Sequence, residues 1–266
     1  MKRLIELVKN YKALSKGLTD FEKFSYIAIV HHSTVIEGST LNALETEILL
    51  DKGLTPKGKP LAHSLMAKDH LEALHYILDV AASKTVLTAD ELKKIAGMVV
   101  KNSKGEVHTA LGNFDPSKGD FRLLNVSAGS SSFPNFDKVP RLYQTLVDEI
   151  AANINQLEDF KAIIDFAFDA HFQLVSIHPW ADGNGRTARL LMNYIQHYHD
   201  LPQAIVDNSD KGDYIQALIK SRESKSTLPF REFMYTQYEK HLVSEIKKLT
   251  KKISQRQSDL GLTLIF

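Results

Sequence analysis

A mostly α-helical protein is expected, on three features of the chain. Apolar residues recur at three- and four-residue spacing in nearly every segment. Capping residues and helix-stopping glycines punctuate those segments. Only the stretch 102–136 changes character: Gly105, Gly112, Gly119 and Gly129 break it up, and Phe121-Arg122-Leu123-Leu124-Asn125-Val126 within it reads as extended. At 266 residues the chain is within the size that one core can reach.

In order, residues 2–15 predict a short helix with Leu4, Ile5 and Val8 apolar, stopped by Gly17. Thr19, followed by Asp20 and Glu22, opens the next helix over 20–36, with Tyr26, Ile27 and Val30 on one face. Gly38 ends it. Glu37 lies at that helix end, where the dipole disfavours an acid, so a cationic partner is expected. A helix over 42–52 stops at Gly53, and Gly53, Pro56, Gly58 and Pro60 mark a loop. The long helix 61–82 is apolar through Leu65, Leu71, Leu74, Ile77 and Leu78. Its histidines, His63, His70 and His75, lack the ligand spacing of a metal site and read as structural. Thr88-Ala89-Asp90-Glu91 is a capping box for a helix to about Lys101. Beyond the irregular stretch, helices are expected at about 138–156, 159–177, 185–200 and 211–223, the last apolar at Tyr214, Ile215, Leu218 and Ile219. The final helix runs from Pro229 to about 255, with a seam of Leu242, Ile246, Leu249 and Ile253 and Lys247, Lys248, Lys251 and Lys252 opposite. That seam and the apolar end Thr263–Phe266 want either the chain's own core or a second copy, so a homo-oligomer is one expectation.

The densest chemistry lies at the junction of two helices: His178-Pro179-Trp180-Ala181-Asp182-Gly183-Asn184-Gly185-Arg186-Thr187-Ala188-Arg189. Pro179 cannot continue a helix and is expected to push His178 to extended backbone at the edge of a cleft. Imidazole is the usual base near neutral pH. Gly183-Asn184-Gly185 lets the backbone turn its N–H groups inward as an anion nest, at the positive end of the following helix. Arg186 and Arg189 are three apart and share a helix face, and guanidinium forks suit phosphate oxygens. Asp182 offers a carboxylate for a magnesium ion that the same phosphates bind. Singly, these are a histidine, a turn and a solvated arginine face. In order at one junction they supply a base, a metal ligand, an anion nest and a phosphate clamp.

The stretch resembles the signature of the Fic family, H-P-F-x-[DE]-G-N-G-R-x-x-R, at every position but one. Trp180 stands where Phe is usual, an aromatic expected to pack under the loop. The resemblance implies one Fic-type domain over 1–266, an all-α core with a small β-hairpin flap at 119–128, and transfer of AMP from ATP to a Ser, Thr or Tyr hydroxyl of a target protein. It makes His178 the base, Asp182 the Mg²⁺ ligand, and Arg186 and Arg189 the phosphate clamps. Asn184, with the Gly183 and Gly185 amides, cradles the phosphates. Relatives that phosphorylate carry Lys at the second glycine, so Gly185 keeps the chain on the nucleotidyl-transfer side. The flap's backbone pairs with the target as an added strand. Tyr214 resembles a position near the nucleotide base, though a plain core tyrosine reads as well.

A second stretch, Ser33-Thr34-Val35-Ile36-Glu37-Gly38, is similar to the family's inhibitory motif, [ST]-x-x-x-E-[GN]. Ser33, Glu37 and Gly38 match, and Ser39 replaces the Asn often found next. In that subclass the resemblance implies that Glu37, on an inhibitory helix at 20–38, pairs with Arg189. That arginine otherwise holds the ATP γ-phosphate, so the chain is expected to restrain itself.

Composition narrows the partners. A net charge of +1 gives no general attraction to nucleic acid or anionic membrane. The absence of cysteine excludes disulfides, thiolate zinc sites and cysteine nucleophiles. No signal-like run and no stretch of ~20 apolar residues is visible, so the cytoplasm is the expected compartment. ATP and a protein target, the chain itself among the candidates, are the expected partners. Two rivals share the site: removal of AMP with Glu37 orienting a water, and a non-catalytic nucleotide-binding module read by a partner. Binding alone needs no base such as His178.

Overall fold

A computed structural model describes the backbone of residues 1–17, 19–128 and 131–263, and the side chains of these except 19–22, 128 and 256–263. Its described residues form ten α-helices: α1 (Lys2–Ser15), α2 (Thr19–Ile36), α3 (Ala43–Lys52), α4 (Leu61–Ala82), α5 (Ala89–Val100), α6 (Val139–Asn153), α7 (Phe160–Ile177), α8 (Asn184–Tyr198), α9 (Lys211–Ser224) and α10 (Leu228–Thr263). The mostly α expectation holds, and several helix ends fall where the local chemistry put them, while α10 continues past the expected end near 255 to Thr263. Thr88 and Glu91 make a reciprocal capping box at α5, and Asn42 and Glu45 make another at α3. Gly53 closes α3 in the left-handed conformation. No described helix is long and apolar enough to cross a membrane.

The centre of the molecule is α8. Every residue from Arg186 to Gln196 on it is buried, because α7, α4, α5 and α2 surround it. A helix buried all round must pair most of the polar groups it carries, and here only Arg186 Nε and Gln196 Nε2 are buried without a hydrogen-bond partner among its described side chains. Thr187 Oγ1 donates to the Gly183 carbonyl at 2.9 Å, and Asn193 Nδ2 donates to the Ala204 carbonyl at 2.9 Å. Its arginines are accounted for below. Arg231 of α10 ties that helix to α7, its Nη1 reaching Asp165 at 2.8 Å and its Nε reaching Asp169 at 2.7 Å. α10 also lies along α1 and α9, with Leu242 and Leu249 fully buried. The C-terminal seam is therefore spent largely on the chain's own core, while Leu264–Phe266 lie outside the described residues.

The irregular stretch differs from expectation. Phe121–Val126 forms no strand. Two short antiparallel hairpins flank it, β1 (Val107–Thr109) with β2 (Gly112–Phe114), and β3 (Ser127–Ala128) with β4 (Ser131–Ser132). The reason is Arg122, whose side chain is completely buried. Its backbone N–H donates to the Pro179 carbonyl at 3.1 Å, and its Nη1 takes the Leu124 carbonyl at 2.6 Å. Backbone groups that a partner strand would have used are spent on this arginine and on the 178–180 loop.

Candidate active site

The signature loop starts where α7 stops. His178 closes the helix in the left-handed conformation, φ 53° and ψ 61°, donating its N–H to the Leu174 carbonyl at 3.0 Å. The extended backbone expected from Pro179 is thus replaced by a helix-capping one. Histidine tolerates this region better than most residues, and strained backbone of this kind gathers at functional sites. Three contacts then fix the loop from below. Arg122 Nε donates to the His178 carbonyl at 2.8 Å, and its Nη2 reaches the Pro134 carbonyl at 2.6 Å. Trp180 is buried under the loop as expected, edge-on to Tyr143, with its Nε1 donating to the Gly119 carbonyl at 3.1 Å. Asn184 spends its side chain on Trp180, accepting from its N–H at 3.0 Å and donating to its carbonyl at 2.8 Å. In this structure the Asn184 side chain closes the loop. Gly183 caps α8 at φ 82°, a conformation that favours glycine.

The His178 ring stacks on Phe133, centroids 4.0 Å apart. Burial pulls its pKa down to about 4, helped by the positive fields of Arg122 and Arg222 and opposed by the Val175 carbonyl and Glu37. Its Nδ1 is buried and makes no well-formed hydrogen bond. The ring is therefore neutral near pH 7, in the state that accepts a proton.

The two arginines of α8 part company. Arg189 faces α2. Its Nε donates to Ser33 Oγ at 2.8 Å, and its Nη2 reaches the Ser33 carbonyl at 3.0 Å and Glu37 Oε1 at 2.6 Å. Residues 33, 37 and 189, brought together from distant parts of the chain, thus form one charge-assisted cluster. Tyr214 joins it, its hydroxyl 3.5 Å from Arg189 Nη1 and 3.1 Å from His171 Nε2. Gly185 makes room for it: a Cβ there would lie 2.3 Å from Glu37 Oε1. Gly38, at φ 101°, turns the chain away directly after Glu37. Arg186 points elsewhere, against the expectation of a shared phosphate-facing side. It is 1% exposed, donating from Nη1 to the Val99 carbonyl at 2.8 Å and from Nη2 to Asp182 Oδ1 at 3.2 Å. A 60° difference in helical phase suffices to send the two side chains to different neighbours. Asp182 also accepts from the Gly183 N–H and pairs with Lys104 at 3.2 Å. Burial would raise its carboxyl, but Arg186, Gly183 and Lys104 together hold it below the usual value.

Residues 86–196, which contain this loop and the helices on either side, match the Fic/DOC family model. This segment is a Fic domain. A protein adenylyltransferase Fic of Culex quinquefasciatus is 30% identical over 232 residues, 86% of this chain and 43% of that protein. A second, protein adenylyltransferase fic-1 of Caenorhabditis elegans, is 29% identical over 79% of this chain and 39% of its own length. The chain thus spans under half the length of the curated relatives it matches. Among solved structures, a Fic domain containing signaling protein from Bacteroides thetaiotaomicron superposes with a TM-score of 0.78 at 22% identity, covering 94% of this chain and 97% of that one. Fic-1 from C. elegans gives the same TM-score and identity over 94% of this chain and 73% of the other. The fold is the Fic fold.

His178 and Gly185 of this Fic domain line one cavity of about 330 Å³ together with Glu37 and Tyr214, which lie outside the matched segment. Its other walls are Ile36, Ser131, Phe133, Val175, Lys211, Ile215, Leu218, Ile219 and Arg222. The sequence pointed to neither Arg122 nor Arg222. Arg222 did carry a signal, since Lys211, Tyr214 and Ile215, Leu218 and Ile219, and Arg222 recur along one stripe of α9 at helical spacing. Arg122 carried none, because its partners lie in loops distant along the chain.

Proposed function

We propose that the chain is a protein adenylyltransferase that transfers AMP from ATP to a Ser, Thr or Tyr hydroxyl of a target protein, and that Glu37 restrains it. The observation carrying this reading is one cavity holding a neutral buried histidine beside a carboxylate locked 2.6 Å onto Arg189. His178 takes the proton of the target hydroxyl as its oxygen attacks the α-phosphorus, and pyrophosphate leaves. The Gly183–Gly185 backbone at the start of α8 binds the phosphates, in the position where N–H groups and helix dipole favour anions. Arg189 holds the γ-phosphate once Glu37 lets go. Arg186 acts one step removed, by fixing Asp182.

The residues fit a magnesium ion that arrives with the nucleotide. Asp182 presents one hard oxygen beside the nest, and only Lys104, a half-exposed flexible side chain, need yield its second oxygen. Among the described residues no three acidic or histidine side chains converge, so phosphate oxygens and water would complete the shell. When bound, the ion neutralises phosphate charge and favours departure of pyrophosphate.

Removal of AMP is a second reading, favoured by Glu37 facing the same cavity as His178. Incubation with α-labelled ATP and cell lysate tests both. Label on protein supports transfer, and label lost from a pre-modified target supports removal. Label bound and never transferred would leave only a nucleotide-binding module.

A further inference from the structure

The cavity has two polar ends. At one, Glu37, Gly185, Lys211 and Tyr214 gather around the first turn of α8, where phosphates bind in the reading above. At the other is Arg222, eight residues along α9 from Tyr214, a helical rise of ~12 Å. The wall between is apolar, from Ile215, Leu218 and Ile219 of α9 and Val175 of α7. Phe133 covers the flap side. Its ring lies 5.4 Å from the Arg222 guanidinium on one hand and stacks on His178 on the other. A nucleoside whose phosphates sit at α8 would lay its base along this apolar wall and bring the base edge to Arg222.

Arg222 is poorly provided for by its own chain. Its Nε and Nη1 are buried, and neither has a hydrogen-bond partner among the described residues. Burial also lowers its pKa, so the surroundings disfavour its charge. Buried donors on a cation are costly unless an acceptor meets them, and the ring face of Phe133 beside the guanidinium supplies no hydrogen-bond acceptor for either nitrogen. A ligand rich in acceptors at that end would meet the need. The base edges differ sharply here. Guanine presents an oxo group next to a ring nitrogen, two acceptors side by side, which an arginine takes together. Adenine presents an amino group next to the same nitrogen, so one guanidinium donor would face another donor.

We propose that Arg222 reads the nucleobase and favours guanine over adenine, so that GTP is a nucleotide donor at least as good as ATP. The inference rests on the nucleotidyl-transfer reading and concerns only which nucleotide enters. The chemistry is unchanged: the hydroxyl oxygen bonds to the α-phosphorus, the bond to pyrophosphate breaks, and His178 keeps the proton.

The test uses the full chain with Glu37→Gly, so that Arg189 is free, titrated calorimetrically with α,β-methylene ATP and α,β-methylene GTP in magnesium buffer. The GTP analogue is expected to bind at least as tightly as the ATP analogue. Arg222→Ala should weaken the GTP analogue about tenfold or more and the ATP analogue less than about threefold. Arg222→Gln, whose amide matches the amino-and-nitrogen edge of adenine, should reverse the preference, and its retained ATP binding shows that the pocket is folded. Tighter ATP than GTP binding in the parent, or equal losses of both in Arg222→Ala, would overturn the assignment and leave the transferase reading standing. Binding of neither analogue by the parent would remove both.

Discussion

Arg189 Nη2 donates to Glu37 Oε1 at 2.6 Å, a charge-assisted hydrogen bond. Arg189 is 4% exposed and Glu37 29%, so removing the glutamate leaves a nearly buried guanidinium with only Ser33 and Tyr214 as partners. Glu37→Gly is therefore expected to raise AMP transfer and to lower stability together. The gain follows from returning the α-phosphate to an in-line pose, because small misplacements of reacting atoms cost ~100-fold in rate. The loss should be roughly 1–3 kcal/mol, less than the removal of one partner costs in a fully buried pair. Mg-ATP should recover much of it, since a ligand that binds only the native state stabilises by mass action. Auto-modification with labelled ATP and melting curves with and without Mg-ATP check both halves, and Glu37→Gly with Arg189→Ala should lose the activity gain. Equal activity in wild type and Glu37→Gly would reject the restraint. His178→Ala, in the Glu37→Gly background, should cut transfer by ~10²–10⁴-fold with nucleotide affinity nearly intact. Transfer at the parent rate in a folded variant would remove His178 as the base.

Between the helices, one side chain joins the segments on either side of the β3–β4 hairpin to the loop carrying His178. Arg122 donates to the carbonyls of His178, Leu124 and Pro134 from a completely buried position. Cutting these bonds unties the loop carrying His178 from the segment carrying Phe133. Arg122→Ala should cost about 3 kcal/mol, on the order of 1 kcal/mol per lost hydrogen bond. It should also lower kcat more than it changes KM for ATP, because the phosphate nest is built by α8 and not by the flap. Thermal melts and steady-state kinetics in the Glu37→Gly background give both numbers. A changed KM with unchanged kcat would mean that Arg122 only supports the fold.

Over the whole molecule, buried neutral histidines set the response to acid. Burial is the first cause in each case. It holds His31 and His178 at about 4 and His241 at about 3, and His70 and His171 well below their usual value. Unfolded chains would bind protons at these groups near the ordinary imidazole value of 6.5, whereas the folded chain would not. Where the unfolded state binds more protons, stability rises with pH. The histidine contribution should therefore be fully present above about pH 6.5 and fall away steadily toward about pH 4. Asp207, held at about 2, adds a further loss only at still lower pH. Urea midpoints between pH 8 and pH 4.5 check this, and a flat profile across that window would show that the histidines titrate normally.

The sequence by itself determined the helix succession and its punctuation, because caps, glycine stops and apolar stripes act within a few residues of themselves. Thr88 with Glu91 and Gly53 are such cases, and each lies where it was expected. It also marked the candidate site residues, since the stretch from His178 to Arg189 is contiguous. What each touches was decided only by the tertiary structure. Asn184 turned inward onto Trp180, Arg186 turned to Val99, and Arg189 turned to α2, although all three share the first two turns of one helix. Which neighbour a side chain meets depends on helices that arrive from far along the chain. The pairing of Glu37 with Arg189 spans 152 positions, and that of Arg122 with His178 spans 56. Local periodicity is blind to such contacts, because it fixes only the face from which a side chain leaves its helix, and packing chooses what stands opposite.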